Sequence, residues 1–295
     1  MSEIIEKPTY KPFAPPKDDR PLMQKIHWAH VIVLPLVQIL AIYGAYTTFV
    51  QRKTLVFSII YYYYSSLGIT AGHHRLWSHN SFKAKKLLEI LLVIASCASV
   101  EQSIFRWVRD HRAHHRYNDT PLDPTNALKG FYHSHIGWLF YKRNKKDLGH
   151  VDTSDLKENP LIRFQHDNYP LLILIFSILL PTYVCGLGWG DWRGGFYYAA
   201  IFRLAVIHQL TFCNNSIAHM FGKPNYGDTQ SARDSGLVAI FTLGEGFHNF
   251  HHEFPEDYGC PNYFNQYDIT KFFIDAMAFL GLAYDLNTSP RAEIE

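Results

Sequence analysis

Nine of the chain's seventeen histidines fall into repeated short spacings that suit metal binding. His74 and His79 frame HRLWSH, His111, His114 and His115 make HRAHH, and His248, His251 and His252 make HNFHH. His219 closes NSIAH alone. Each HxxHH places rings at i, i+3 and i+4, one face of a helix, where they can close on one ion or share two. Nine imidazoles exceed what a single ion binds, so two metals are implied. Imidazole suits Zn, Cu, Fe and Ni alike. A structural zinc fills only four positions, so this many rings beside a membrane favours a redox metal that activates O2, with iron first. His27, His30, His73, His133, His135, His150, His166 and His208 lack the spacing and read as non-ligands, His73 being the nearest case.

The elements that must carry these clusters are membrane helices. Val31 to Val50 and Thr54 to Gly72 are charge-free runs separated by Gln51, Arg52 and Lys53. Each matches the ~20 residues that cross a bilayer, so the pair predicts a tight hairpin, with Pro35 tolerable inside a membrane helix. Tyr169 to Gly190 is a third run, and Gly194 to Cys213 a fourth that contains Arg203 and His208. Leu87 to Val100 is apolar but short and broken by Glu89, better suited to an interface or a core than to a span. Spans are thus expected at about 30–50, 54–72, 169–190 and 194–213. Lys and Arg number 24 on one side of this arrangement and 3 on the other, which places both termini and the central segment in the cytosol. The clusters then sit at cytosolic helix ends, with His74 and His79 just past the second helix and His219 just past the fourth.

Composition agrees with a membrane protein carrying a polar cap. Hydrophobic residues make 47% of the chain and charged residues 18%, below the usual quarter or so. The mean hydropathy of -0.12 averages two unlike kinds of segment. A net charge of +2 argues against a nucleic-acid partner. Cys97, Cys185, Cys213 and Cys260 are far apart, which argues against a disulfide framework or a thiolate zinc site. Residues 1–26 are polar and Pro-rich and read as a flexible cytosolic arm; 27–285 carry the spans and clusters; 286–295 are a tail.

Longer stretches around the clusters carry a family resemblance. GITAGHHRLWSH (68–79), RDHRAHHRY (109–117), SHIGW (134–138), NSIAH (215–219), GEGFHNFHH (244–252) and FFIDAMAFLGLAYD (272–285) resemble the membrane acyl-CoA desaturases of the stearoyl-CoA delta-9 type. The resemblance implies an all-α membrane protein, with four transmembrane helices under a helical cytosolic cap. It implies two irons held by His74, His79, His111, His114, His115, His219, His248, His251 and His252, with Asn215 holding an iron-bound water. It places Asp110, Lys142, Arg143 and Arg203 around the CoA moiety of a long-chain acyl-CoA. Three positions depart from animal members: His30 and Gln102 replace Asn at CoA contacts, and Phe212 replaces Trp at the bend of the acyl site. The reaction implied is O2-dependent insertion of a cis double bond into stearoyl- or palmitoyl-CoA. Only ten residues follow position 285, so the electrons are expected from a separate cytochrome b5 with its reductase. The membrane is the endoplasmic reticulum if the source is eukaryotic.

The residues themselves give weaker signals for substrate. Acyl-CoA carries phosphates, and Arg109 beside the second cluster, with Lys142 and Arg143 after SHIGW, could meet them; Lys142 and Arg143 also read as a solvated charge run with Lys145 and Lys146. Arg203 inside an apolar helix marks a site or a cavity, or snorkels from its end. A buried methylene has no polar handle, so the position of the bond must be set by tunnel depth. If the cut lies between carbons 9 and 10 of an 18-carbon chain, the remainder needs roughly 10 Å, about 7 residues of helix at 1.5 Å each. Counting back from His74 reaches Leu67 and Ser66, with bulky Tyr62 one turn further. Two other functions fit a histidine-rich membrane chain. A hydroxylase with the same metal site would yield an alcohol rather than an alkene. The other is a non-redox membrane metal-binding or transport protein; a transport site lies near the membrane midplane, whereas these ligands lie in cap segments.

Overall fold

The computed structural model describes residues 18–144, 148–260 and 267–294. The first helix, α1, runs Trp28–Thr47 through Pro35. Side chains such as Ile42 (72% exposed) face outward, while Val37 and Ala41 pack on Ile201, Leu204 and Ala205. The second, α2, is Arg52–Leu67 and passes without a break into a π-helical segment, Gly68–Ser78, whose eleven residues are all buried. Gly68 lets this segment lie against the backbone of Ala95 and Ser96, where a Cβ would collide. Helices α3 (Lys86–Ser99) and α4 (Ile104–Tyr117) meet at an 85° bend. Val100 and Gln102 make that corner in positive-φ conformations. Helix α5 spans Tyr169–Trp189 and α6 spans Trp192–Met220, each with an internal π-helical stretch. In the cap, α7 is Gly236–Phe241, α8 is His248–Glu253 and α9 is Ile269–Phe279.

Among the described residues, α1, α5 and α6 are long and apolar enough to cross a membrane, and the bent α3–α4 pair is a fourth segment that passes only as a broken span. The α2 run is not in that set. Its four consecutive tyrosines and its Ser65–Ser66 pair dilute the apolar character expected of the span 54–72. Two placements differ from expectation. His74 lies inside the helix continuing α2 rather than beyond its end, and His219 lies in the last turn of α6, which runs past residue 213. Helix α9 stops at Phe279. Ala283–Tyr284 then form a strand, β2, paired antiparallel with β1 (Lys83–Ala84).

Of the expected N-terminal arm, residues 1–17 lie outside the described residues. The part from Asp18 onward is not extended. Leu22–Lys25 form a helical turn, and the backbone of Ile26 bridges Tyr141, with Lys142 N–H donating to Lys25 O at 2.6 Å. Lys25 O accepts there and His27 N–H donates to Phe140 O at 2.8 Å, which ties the arm to the cap.

Arg203 requires a correction. It is 2% exposed and is not among the basic residues that line the surface cavity described below. Its guanidinium donates to Ala199 O, Ala98 O, Ser65 Oγ, and both Ser177 O and Oγ, at 2.8–3.3 Å. The Tyr61 ring covers it at 4.9 Å. Five N–H groups thus have five acceptors, so Arg203 neither snorkels nor waits for a phosphate. It joins α2, α3, α5 and α6. Losing one such neutral acceptor of a buried charged donor costs about 1.5–3 kcal/mol.

Candidate metal centre and its access path

Three local geometries deliver the histidines. HxxHH on α4 and on α8 uses the α-helical i, i+3, i+4 face. HxxxxH uses the π-helix: its backbone bonds link i to i+5, and His79 N–H donates to His74 O at 3.2 Å. A five-residue spacing therefore returns both rings to one side, with centroids 5.0 Å apart. His219 comes from the end of α6. All nine rings converge into two groups, His74, His79, His111, His115 and His251, and His114, His219, His248 and His252. His73 joins neither; it is fully buried with both ring nitrogens unpartnered, against Trp77 and Trp107.

Within the groups the Nε2 atoms face one another. His74 and His251 stand 2.8 Å apart, His115 and His251 2.9 Å, and His79 and His111 2.9 Å. In the second group the spacings are 3.2 Å for His114–His252 and 3.1 Å for both His248–His252 and His219–His248. The Nδ1 partners fix the tautomers. His74 Nδ1 lies 2.7 Å from a Glu245 carboxylate oxygen, and His114 Nδ1 lies 2.9 Å from one of Asp123. His252 Nδ1 lies 3.0 Å from Gln230 Oε1. Ser231 Oγ donates to Asp119 at 2.6 Å and so accepts from His219 Nδ1–H at 2.8 Å. In these four rings the proton sits on Nδ1, which leaves lone pairs on Nε2. His114 and His252 therefore aim two lone pairs at each other, an arrangement that repels without a cation between them. The outer acceptors are the kind that orient metal-bound imidazoles.

The spacing also says which coordination fits. Two nitrogens ~2.1 Å from one ion stand ~3.0 Å apart at a right angle and ~3.4 Å apart at a tetrahedral one. The observed 2.8–3.2 Å matches the right angle. An all-nitrogen set of five and four donors suits transition metals and excludes calcium and magnesium, which take oxygen. Burial pushes the imidazoles of His79, His111, His115, His251 and His252 down, so they stay neutral and ready to bind. Burial alone would raise the Glu245 carboxyl, but Arg75 and His74 outweigh it and hold the group ionised.

Arg75 organises the first group from behind. Fully buried, it bonds Glu245 Oε1 at 2.8 Å, Asp268 at 2.9 Å and Tyr258 O at 2.7 Å. Asp268 in turn caps α9 through Lys271 N–H at 2.8 Å. None of Arg75, Asp123, Gln230 and Ser231 stands out in the sequence by spacing. Glu245 alone had a signal, as the carboxylate three residues before the third histidine cluster.

A path reaches these groups from the surface. A basic cavity of about 370 Å³ is lined by Arg106, Arg109, Asp110, Lys142, Arg143 and His30. Arg109 pairs with Asp110 at 2.7 Å, and Arg143 lies 3.9 Å from the same carboxylate. Lys145 and Lys146 are outside the described residues. At Gln102, Asp110 and Trp138 this cavity meets a narrower pocket holding His111, His114, Trp107 and Asn215. That pocket shares Trp107, His111, Thr211 and Asn215 with a third, which passes His74 and His248 and ends at Ser66 and Tyr62. Phe212 instead lines a side chamber of about 430 Å³ next to Gln102. Asn215, one turn before His219, fronts the path.

With this geometry in place, the relatives can be set beside it. The fatty acid desaturase family model matches residues 53–264. The chain is 48% identical over 270 residues to the probable acyl-CoA desaturase of Schizosaccharomyces pombe, covering 92% of this chain and 56% of that protein. To acyl-CoA desaturase 1 of Saccharomyces cerevisiae it is 42% identical over 274 residues, 92% of this chain and 54% of the other. It thus spans just over half the length of these two relatives. It is 39% identical over 300 residues to human stearoyl-CoA desaturase, covering 100% of this chain and 82% of that one. The chain belongs to the fatty acid desaturase family.

Proposed function

We propose that the protein is an acyl-CoA desaturase that inserts a cis double bond, at the delta-9 position, into saturated long-chain acyl-CoA such as stearoyl- or palmitoyl-CoA. The observation that carries this reading is the path: it begins among cations, passes rings of both histidine groups, and ends at Ser66 and Tyr62. Phosphates of CoA suit the cationic mouth, and an alkyl chain suits the far end. The reaction consumes O2, two electrons and two protons, removes two hydrogens from adjacent methylenes, and releases two waters. Two irons held by the nine histidines supply, when bound, the oxygen-activating redox chemistry.

The chain's own residues do the rest. Arg109, Lys142 and Arg143 hold the CoA end, with Arg106 beside them. The path narrows between Gln102 and Thr211, which stops the acyl chain from sliding freely. Ser66 and Tyr62 fix how deep the chain runs and so which methylenes lie opposite the histidines. Glu245 and Asp123 keep His74 and His114 in the tautomer that offers Nε2, and Asn215 places a water beside them. The cavity walls keep bulk water from the reacting carbons. The electrons come from a cytochrome b5 with its reductase. The chain crosses the endoplasmic reticulum membrane four times, with both termini in the cytosol. In this reading 27–285 is the catalytic unit, and α2 is the second span despite its tyrosines, because it continues directly into His74.

Expression in a yeast lacking its own desaturase tests this directly. Growth without added unsaturated fatty acid, with 9-cis products by gas chromatography, is the expected result. Hydroxylated acids in place of alkenes would replace desaturation with hydroxylation.

A further inference from the structure

Behind the closed end of the path lies a second cavity that the proposed reaction does not use. It measures about 390 Å³ and lies between α2, α6 and the cap helix α7. Leu55, Ile59, Phe202, Val206 and Ile240 contribute its apolar walls. Leu55, Ile59, Phe202 and Ile240 are each more than 40% exposed on the outer surface, so the cleft opens sideways, where a spanning helix meets lipid. Its only full charge is Arg203, and all five of that residue's N–H groups are already bonded inside the protein. No ion or headgroup is invited; an alkyl chain is.

The cleft shares Tyr62, Leu210, Phe241 and Leu243 with the path that passes the histidines. One hydrogen bond joins two of these shared residues: Tyr62 OH donates to Phe241 O at 3.0 Å. This bond ties the middle of α2 to the end of α7, a helix of only six residues with Phe241 54% exposed. A single neutral hydrogen bond of this kind is weak enough to open and close.

We propose that this cleft binds an alkyl chain from the bilayer, and that the Tyr62–Phe241 contact is a lateral gate between it and the acyl path. The gate rests on the acyl-path reading above; the cleft's occupancy does not. With the gate shut, acyl length is limited. With it open, a long chain continues into the cleft, and the path gains a sideways route to the membrane.

Two measurements test the two halves. The first uses the full chain in nanodiscs of phosphatidylcholine bearing a diazirine in one acyl chain, and needs no turnover. Photolabel is expected on the peptides carrying Ile59, Val206 and Ile240, and Val206→Trp, which fills the cleft without touching the path, should cut it at least five-fold. Labelling no stronger there than on α1, or unchanged in Val206→Trp, overturns the site. The second uses acyl-CoA of 20 and 22 carbons. Tyr62→Ala should raise their share of product several-fold, and adding Val206→Trp should return it to the parental share while 18-carbon product persists. A gain that survives Val206→Trp overturns the gate. A parental chain with no desaturation at all counts against the acyl-CoA reading, and the photolabel still decides the cleft.

Discussion

The two histidine groups are built differently. The five-ring group is anchored by a salt-bridged carboxylate: Glu245 holds His74, Arg75 holds Glu245, and Asp268 holds Arg75. The four-ring group has Asp123 on His114, but otherwise relies on neutral acceptors, Ser231 for His219 and Gln230 for His252. It also has one ring fewer, and Asn215 stands in the cavity beside it. A charged buried anchor fixes ring position strongly and tolerates little change, because an unpaired buried charge is costly. A neutral anchor costs less to lose. The first group is thus tied through one charged chain at His74, and the second, held by three separate anchors and one ring short, leaves room for a further donor.

Losing a ligand should erase this difference. His251→Ala in the first group and His114→Ala in the second are each expected to abolish desaturated product, with protein still in the membrane fraction and metal per chain falling from two. Near-parental product from either would break the two-metal reading. The anchors should then restore the contrast. Glu245→Gln is expected to weaken metal binding about 10–100-fold, and Ser231→Ala less than 10-fold, by competition with a chelator. Equal losses would mean the charged anchor adds nothing.

The remaining outcomes concern the far ends of the path. Ser66→Leu should shift preference from 18 towards 16 carbons several-fold, with the double bond unmoved; an unchanged product ratio would place the end of the path elsewhere. Lys142→Ala with Arg143→Ala should raise KM for acyl-CoA by more than it lowers kcat, since those side chains stand far from the reacting carbons. An unchanged KM would return them to ordinary surface charge.

Acidification offers the mildest test. Burial pushes His248 down to about 3 from an ordinary 6.5. Between those values the unfolded chain takes up a proton and the native chain does not, so stability falls as pH falls through that window and is flat above it. Metal-free protein should melt a few degrees lower at about pH 5.5 than at about pH 7.5. A higher melting temperature in acid would contradict the burial of neutral rings.

The sequence by itself determined which rings could share a face. HxxHH has that property on any α-helix, because i, i+3 and i+4 coincide whatever surrounds them. Apolar run length likewise announced α1, α5 and α6. What the sequence could not display was pairing across elements. The HxxxxH spacing is off-face on an α-helix, and only the packing of Gly68 and its neighbours against α3 accompanies the π-helix that brings His79 back beside His74. Arg203 read as a ligand or a snorkelling side chain because its five acceptors lie on residues 26 to 138 positions away or on its own preceding turn. Glu245, 171 positions from His74 in chain order by simple difference of their numbers, holds its ring by a 2.7 Å contact. Which imidazoles form five and which form four is likewise a tertiary outcome. A hydrogen bond depends on distances of a few tenths of an ångström between side chains, and those distances exist only once α2, α4, α6 and α8 are packed together.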